Sequence, residues 1–215
     1  IRFLEYKKIS NFYRIKLKIN NKFFYFNSKH SGSNFLYNLM ACISVANILH
    51  LNLKKMQKTF VKFNIPEGRG DIKFIKKFNK KFILMDESYN ANPLSMLSAI
   101  ENLNNFSRKK IKRKIVILGD MLELGKKAKK FHINLSKIIN ISDIDKVYVH
   151  GKLIRDTFVN LSNKKKGKIF DNLKATYSHL NKIIHNKDLL MIKGSNATGL
   201  NAFAKNIKRR GSSAI

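Results

Sequence analysis

The apolar positions at the start of the chain alternate in the way that is typical of paired strands. Over residues 12–19 every second side chain belongs to one set, formed by Tyr13, Ile15, Leu17 and Ile19. Asn20 and Asn21 then favour a turn, because asparagine tolerates a positive φ, and residues 22–26 return. The pattern therefore predicts a β-hairpin over residues 12–27.

The spacing of apolar positions then changes to that of helices. Residues 35–50 place their apolar side chains on one helical stripe, formed by Leu36, Leu39, Met40, Ile43, Ala46 and Leu49 or His50. A second short helix is predicted over residues 53–63. Cys42 lies inside the first apolar helix, and we expect it in the core.

Five repeats of an apolar strand followed by a helix make up the rest of the chain. The strands are predicted at residues 82–85, 115–118, 147–149, 168–170 and 189–192. The helices are predicted at residues 93–106, 127–140, 153–161, 173–184 and 198–208. Such units with short connections predict an α/β fold, a Rossmann-like parallel sheet with helices on both faces. The tail, residues 209–215, is expected to fray.

The best candidate for a domain boundary is the segment Pro66-Glu67-Gly68-Arg69-Gly70. It contains one of only two prolines, and two glycines flank its arginine. It also separates the hairpin pattern from the strand–helix repeats. We therefore predict two domains, residues 1–66 and 67–215.

Composition places the chain among folded proteins. Apolar residues make up 44% of its 215 positions, too many for a disordered chain, and no run of about 18 apolar residues predicts a membrane helix. The single cysteine excludes an internal disulfide and a multi-cysteine metal site, which fits a reducing, cytoplasmic setting. The first residues show no signal-peptide pattern and no initiating Met, so we expect a fragment or a processed product.

The formal charge of +31 first indicates a partner such as nucleic acid. Only 8 of the 44 basic residues are arginines, although arginine is the residue that phosphates and base edges favour. Lysine, asparagine and isoleucine together fill 87 positions, and their codons are rich in A and T. We therefore favour codon drift over a nucleic-acid partner, and a basic nucleic-acid-binding α/β protein remains the alternative.

Polar residues cluster where the predicted strands end, which is where parallel sheets bind ligands. The clusters are residues 86–92, 119–125 and 193–199, with His150 and Asp171 after the other two strands. For Asp86 a ligand or hinge role is favoured, with capping of the following helix as the alternative. For His132, inside a helix, a structural role is favoured over a ligand role. Lys193 would direct an ammonium into this edge, where the N–H groups of Gly194 and Ser195 could hold an anion. Alternatively, it caps the sheet beside an acid such as Asp120 or Asp171.

The chain lacks the signatures of a self-sufficient enzyme. It contains no Gly-x-x-x-x-Gly-Lys-Ser/Thr phosphate loop, no His-Glu-x-x-His and no Gly-x-Ser-x-Gly. The sequence therefore assigns no certain catalytic residue and no metal site within these 215 positions.

Several segments resemble motifs of the Mur ligases, in the order in which that family has them. Residues 86–96, Asp-Glu-Ser-Tyr-Asn-Ala-Asn-Pro-x-Ser-Met, resemble the motif that follows the interdomain hinge. Residues 118–125, with His132 after them, and residues 193–195 resemble the next two blocks. Upstream, residues 32–41 resemble the motif with which a helix of the family begins. Gly68-Arg69 resemble the family's link into its last domain. The family's His-Asn pair is Asn34-Phe35 here, and Gly70 stands where an apolar residue is usual.

The resemblance, which is strongest to the D-alanyl-D-alanine-adding branch, implies a fragment of a longer ligase. Residues 1–66 would be the end of the central ATP-binding domain, and residues 67–215 the carboxy-terminal domain. The whole enzyme would use ATP and Mg²⁺ to convert UDP-N-acetylmuramoyl-tripeptide to an acyl phosphate, which D-alanyl-D-alanine attacks. The fragment alone would be inactive. A folylpolyglutamate synthase-like ligase of the same superfamily remains an alternative.

The resemblance also implies two groups of binding residues. The nucleotide side would be formed by Asn38, Arg69, Asp86 and Asn90. The side on which the dipeptide docks would be formed by Asp120, His132, Lys193, Gly194 and Ser195. The phosphate-loop lysine and the magnesium ligands would lie outside this chain, and we expect a cytoplasmic monomer with no membrane contact.

Overall fold

A computed structural model describes residues 1–30, 33–209 and 212–214, so Gly32 of the helix-start motif lies outside the described residues. The chain divides into two compact units, Ile1–Ile65 and Pro66–Ile215.

The first unit contains a three-stranded antiparallel sheet. Its strands are β1 (Arg2–Ile9), β2 (Phe12–Ile19) and β3 (Lys22–Ser28), in the order β1-β2-β3. The predicted hairpin is confirmed as β2 and β3, and its turn residues Asn20 and Asn21 have φ values of 46° and 60°. Strand β1 was not predicted, because Phe3 and Leu4 are neighbours and break the alternation.

Helix α1 (Ser33–Ile48) packs on this sheet, and α2 (Leu53–Met56) and a 3-10 turn (Thr59–Val61) follow it. Helix α1 was predicted, whereas the second predicted helix is shorter and broken into two pieces. The core is formed by Ile15, Leu17, Ile19, Phe26, Leu39, Ile43, Ala46 and Leu53. The prediction that Cys42 lies in the core is wrong, since it is exposed. Helix α1 carries no charged residue, and apolar Tyr37, Val45 and Ile48 are exposed on it, so spacing alone could not identify the buried side.

The second unit is built on a seven-stranded sheet. Its strands are β4 (Asp71–Lys77), β5 (Lys80–Glu87), β6 (Arg113–Gly119), β7 (Lys146–His150), β8 (Lys166–Phe170), β9 (Asp188–Lys193) and β10 (Ser212–Ala214), in the order β10-β4-β5-β9-β6-β7-β8. The five predicted strands are β5 to β9, and they are parallel.

Two antiparallel strands, β4 and β10, extend this sheet beyond the prediction. Strand β4 pairs with β5 through a tight turn at Phe78 and Asn79, both with positive φ. The expectation of a frayed tail is wrong for residues 212–214, because β4 offers its outer N–H and C=O groups to them. Residues 210, 211 and 215 of that tail lie outside the described residues.

Helices cover both faces of the sheet, as predicted. They are α3 (Pro93–Asn104), α4 (Ala128–Ile141), α5 (Arg155–Val159), α6 (Leu173–Ile183) and α7 (Leu200–Lys208). Met96, Leu135 and Ile154 pack into the core on one face, and Leu180 and Phe203 pack into the core on the other. In the described part of the chain, no helix combines the length and the apolar character that a membrane crossing requires.

Candidate functional site

The carboxyl ends of the parallel strands bring the polar segments together. Glu87 at the end of β5 stands opposite Lys193 at the end of β9, and β6 pairs Leu118 with the same lysine. Gly119 stands opposite His150 at the end of β7. The structure therefore places residues 86–92, 119–125 and 193–199 at one edge of the sheet, where sequence reasoning expected them.

Lys193 forms a buried pair with Glu87 at this edge. Its side chain is 2% exposed, and Nζ lies 3.6 Å from Glu87 Oε2. Nζ also donates a hydrogen bond of 3.0 Å to the carbonyl oxygen of Asn90. Burial lowers the pKa of Lys193 and raises the pKa of Glu87, while the attraction between the two charges opposes both shifts. The acid beside Lys193 is thus Glu87, and not Asp120 or Asp171.

Asp86 belongs to a second buried charge cluster, centred on Lys208 of α7. Lys208 Nζ lies 2.7 Å from Asp86 Oδ2 and 3.1 Å from Asp71 Oδ2. The other carboxylate oxygen of Asp86 accepts hydrogen bonds from the backbone N–H and the hydroxyl of Ser88. Burial lowers the pKa of Lys208, but the two carboxylates outweigh it and the net shift is upward.

Sequence reasoning missed Lys208, although a signal existed. The buried side of α7 is formed by Leu200, Phe203, Ala204, Ile207 and Lys208. A lysine on an otherwise apolar helical stripe requires a buried carboxylate as its partner, because an isolated buried charge is costly.

The link at residues 66–70 is fastened to the end of β5. Gly68 and Gly70 have φ values of 78° and 95°, which favour glycine. Gly70 donates its N–H to the carbonyl oxygen of Asp86 at 2.8 Å, and the Tyr89 N–H reaches the carbonyl oxygen of Gly68 at 3.0 Å. The guanidinium of Arg69 lies 4.2 Å from the centre of the Tyr89 ring, and both side chains are exposed. Tyr89, which sequence reasoning did not select, therefore holds Arg69 at the edge.

The carboxylate of Asp120 accepts hydrogen bonds from the loop after β7. Oδ1 accepts the N–H of Ile154 at 2.7 Å, and Oδ2 accepts the N–H of Lys152 at 3.1 Å. A glycine is required at position 151, directly before Lys152, because a Cβ there would lie 2.3 Å from Asp120 Oδ1. Asp120 thus fixes the loop after β7.

His132 is buried and hydrogen-bonded through both ring nitrogens. Nε2 accepts the N–H of Met121 at 3.1 Å, and Nδ1 lies 2.8 Å from the carbonyl oxygen of Ala128. This pattern requires the neutral tautomer with its proton on Nδ1. The ring therefore fastens the loop after β6 to α4.

Ser195 connects the three polar segments. Its hydroxyl accepts the N–H of Leu122 at 3.0 Å and donates to the carbonyl oxygen of Ala91 at 3.3 Å. Its own N–H donates to the carbonyl oxygen of Asp120 at 3.0 Å. The expectation that this N–H holds an anion is therefore wrong, because the loop after β6 already occupies it.

Two glycines let the ends of β6 and β9 approach closely. A Cβ on Gly194 would lie 3.0 Å from the Cα of Gly119 and 2.9 Å from the Leu200 side chain. Any larger residue at position 194 would therefore separate the two strand ends.

The two remaining nucleotide-side candidates, Asn90 and Asn38, are both exposed. Asn90 is exposed at the edge, and its Oδ1 accepts the N–H of Ala91 at 2.8 Å. Asn38 is exposed on α1, which belongs to the first unit. Among the described residues, no group of three or more His, Cys, Asp or Glu side chains could hold a metal ion.

Comparisons with known proteins agree on one family. Residues 73–196 match the family model described as "Mur ligase, glutamate ligase domain". The UDP-N-acetylmuramoyl-tripeptide–D-alanyl-D-alanine ligase of Rickettsia prowazekii is 29% identical over 91% of this chain and 42% of the relative. The ligase of the same name from Buchnera aphidicola subsp. Baizongia pistaciae is 26% identical over 82% of this chain and 36% of the relative.

A similar fold occurs in solved structures. The MurF ligase from Thermotoga maritima in complex with ADP superposes with a TM-score of 0.72 and 20% identity, over 97% of this chain and 47% of that protein. A MurF structure from Acinetobacter baumannii gives a TM-score of 0.75 at 19% identity. The chain thus spans less than half the length of these relatives.

Proposed function

The chain belongs to the Mur ligase family, and from this premise we propose that it is part of a ligase that joins D-alanyl-D-alanine to UDP-N-acetylmuramoyl-tripeptide. One observation carries the proposal. Segments that lie up to about 100 residues apart, 86–92, 119–125 and 193–199, meet at the ligand-binding edge of a parallel sheet. These segments overlap the three blocks that resemble the D-alanyl-D-alanine-adding branch.

In this proposal, residues 1–66 are the end of the central ATP-binding domain and residues 67–215 are the carboxy-terminal domain. The two relatives named above are more than twice as long as the segment that they share with this chain, so the phosphate loop would belong to the part that this chain does not span. The whole enzyme would act in the cytoplasm, as a monomer. ATP would activate the terminal carboxylate as an acyl phosphate, and the dipeptide amine would displace phosphate from it.

The nucleotide side would be formed by four residues with different roles: Arg69, Asn90, Asp86 and Asn38. Arg69 is exposed and suited to phosphate, since a guanidinium forms paired hydrogen bonds with phosphate oxygens. Asn90 has an exposed amide at the same edge. Both carboxylate oxygens of Asp86 already have partners, so Asp86 would act chiefly by fixing the link that carries Arg69. Asn38, which is exposed on α1, would be a further nucleotide contact.

On the dipeptide side, Lys193 would attract the dipeptide carboxylate. Its positive charge lies at the edge, and the hydrogen bond to Asn90 ties it to the hinge segment. Asp120, His132 and Ser195 would act as positioning residues, because their polar atoms hold the three loops together. Gly194 would act by letting the ends of β6 and β9 approach closely. Catalysis would then come from orientation and charge stabilisation.

The dipeptide assignment can be tested on the 215-residue chain by titrating it with D-alanyl-D-alanine and following backbone amide resonances. We expect shifts at Gly194 and Ser195, and a Kd that rises about 10- to 150-fold in Lys193→Met. Lys174→Met, on the exposed surface of α6, is the control. Shifts that avoid residues 193–195, or equal binding by both variants, would refute the assignment. The chain alone should also hydrolyse no ATP.

A second candidate function, binding of a polyanion, is favoured by a groove at the opposite edge. Its volume is about 1350 Å³, and seven of its 13 lining residues are lysines, including Lys76, Lys81 and Lys187. No acidic side chain is among them. Binding of single-stranded nucleic acid that weakens steeply with salt and fails in a Lys76→Gln, Lys81→Gln variant would support this function.

A further inference from the structure

The two faces of the first sheet differ in chemistry. On β2, the side chains of Ile15, Leu17 and Ile19 are buried in the core that the sheet shares with α1. The residues between them point to the opposite side of the sheet, which we name the outer face. An antiparallel sheet commonly has one face in the core and the other in solvent. The outer face is therefore a surface of the first unit that a partner can reach.

Three rows of directly opposite residues cross the outer face, because cross-strand partners in an antiparallel sheet share a face. The rows are Arg2-Lys18-Phe23, Glu5-Lys16-Tyr25 and Lys7-Arg14-Asn27. Five of these nine side chains are cationic and one is acidic. Lysine and arginine are almost never fully buried without a partner. A face of this composition is therefore a solvated, positively charged one.

Two exposed aromatic rings lie among these cations. Phe23 and Tyr25 are 57% and 44% exposed, and they are two residues apart on β3, which places them about 7 Å apart on one face. Lys16 Nζ lies 4.9 Å from the centre of the Phe23 ring and 5.8 Å from the centre of the Tyr25 ring. The attraction between the ammonium and the rings holds a positive charge beside both of them.

The arginines distinguish this face from a product of codon drift. Drift accounts for abundant lysine but not for arginine, and Arg2 and Arg14 both lie on the outer face. Three other arginines each form an ion pair with an aspartate: Arg108, Arg113 and Arg155. The three rows of the outer face offer Arg2 and Arg14 only one acid, Glu5. The guanidinium groups are thus in excess over carboxylates, and guanidinium binds phosphate through paired hydrogen bonds.

We propose that the outer face binds single-stranded nucleic acid, with neighbouring bases stacked on Phe23 and Tyr25. Their phosphates then lie along Arg14, Lys16 and Lys18 of β2. Proteins that bind single strands combine a basic surface with aromatic rings on which bases stack, and RNA-binding sheets expose aromatic side chains in the same way. The proposal does not depend on the ligase function, and the site shares no residue with the lysine-lined groove of the second unit.

An anionic membrane is the competing ligand for a basic surface with aromatic rings. Binding in a membrane interface buries a continuous apolar face. On the outer face, Phe23 has Lys18 directly opposite, and Tyr25 has Lys16 directly opposite. The rings are therefore separated by cations, which suits alternating bases and phosphates better than acyl chains.

The first measurement is the affinity of the whole 215-residue chain for a fluorescein-labelled oligonucleotide of about 12 thymidines, followed by anisotropy. Four or five contacts to phosphate predict that the logarithm of the association constant falls against the logarithm of salt with a slope of about −3 to −3.5. Replacing both Arg14 and Lys18 with glutamine should make this slope shallower by about 1.4. The Lys76→Gln, Lys81→Gln variant of the groove should keep the slope and the Kd of the parent.

The second measurement separates stacking from charge. Tyr25→Ala should raise the Kd for the oligonucleotide about 5- to 150-fold, because one base loses its ring. Tyr37→Ala is the matched control, since Tyr37 is 69% exposed on α1 of the same unit, and it should keep the Kd of the parent. An abasic oligonucleotide of the same length should bind the parent and Tyr25→Ala equally.

A third variant keeps the ring and reports stacking directly. The chain contains no tryptophan, so Tyr25→Trp introduces a fluorophore without background. The thymidine oligonucleotide should quench this fluorescence, and the abasic one should not. If Tyr25→Ala melts below the parent, the quenching in Tyr25→Trp decides alone.

Three results would overturn the proposal. Equal affinity of the parent for the two oligonucleotides, or no quenching in Tyr25→Trp, would reduce the contact to charge alone. Loss of binding in the Lys76→Gln, Lys81→Gln variant, with parental binding by Tyr25→Ala, would assign the nucleic acid to the groove of the second unit. Binding to phosphatidylserine vesicles without binding to the oligonucleotide would assign the outer face to a membrane.

Discussion

Replacing Lys193 with methionine should destabilise the second unit through Glu87. The substitution keeps most of the side-chain volume but removes the ammonium, which is 2% exposed and lies 3.6 Å from Glu87 Oε2. It also leaves the carbonyl oxygen of Asn90 without this donor. Loss of one partner from a fully buried ion pair costs about 3–5 kcal/mol.

The cost should be smaller here, because Glu87 retains 18% exposure and can accept a proton. We expect about 1–3 kcal/mol at neutral pH, allowing for that residual exposure. For a chain of this size, this corresponds to a fall in Tm of about 2–12 °C. Urea denaturation of the parent and of the variant measures the free energy of unfolding directly.

The loss should also depend on pH in a defined direction. Burial raises the pKa of Glu87 even with Lys193 present, and removal of the cation raises it further. A carboxyl group whose folded pKa lies above its unfolded value stabilises the fold when protonated and loses that contribution as the pH rises through the folded pKa. The deficit of Lys193→Met should therefore be largest at neutral pH and shrink as the pH falls through the pKa of Glu87.

The partner variant decides whether Glu87 is the cause. Glu87→Gln in the Lys193→Met background should recover most of the lost stability, whereas Lys174→Met should leave the parent unchanged. If the double variant is no more stable than Lys193→Met, the unpaired carboxylate is not the source of the loss. If Lys193→Met melts like the parent but no longer binds the dipeptide, Lys193 acts purely as a ligand residue.

Two further predictions concern a loop contact and acid stability. Gly151→Ala should lower the free energy of unfolding by about 2–4 kcal/mol, because φ is 136° and a Cβ would lie 2.3 Å from Asp120 Oδ1. Gly125→Ala, with open space around it, should cost about half as much in thermal denaturation. Equal losses in the two variants would refute the contact with Asp120. Arg108 lowers the pKa of Asp143 to about 2. The stabilisation of the fold by the ionised Asp143 is therefore lost as the pH falls from about 4 to 2. In that range Asp143→Asn should flatten the melting curve against pH, and an unchanged slope would exclude this pair.

The sequence predicted the strands whose residues are buried along their whole length. Strands β6 and β9 lie inside the sheet and are read from unbroken apolar runs, because both of their faces are covered. Strand β4 could not be predicted in this way. Its sequence, Asp-Ile-Lys-Phe-Ile-Lys-Lys, mixes apolar and lysine positions, and the strand is stabilised by pairing with β5 and β10. The pairing with β10, which lies far along the chain, leaves no local pattern.

The candidate site was also predicted only in part from the sequence. That residues 86–92, 119–125 and 193–199 would share an edge followed from the order of strands and helices. The directions of the Asp120, His132 and Ser195 side chains did not follow, because their partners are backbone groups. The N–H groups of Lys152 and Ile154, which hold Asp120, carry no side-chain signature in the sequence.

The polar groups at the edge therefore fall into two classes with different consequences for binding. Asp120, His132 and Ser195 direct their polar atoms at neighbouring loops, so they can give the edge a fixed shape but have little capacity left for a ligand. Arg69 and Asn90 are exposed, so they retain that capacity. A binding site requires both a rigid frame and free groups held in place by it. Substitutions in the first class should therefore impair stability and binding together, whereas substitutions of Arg69 or Asn90 should impair binding alone.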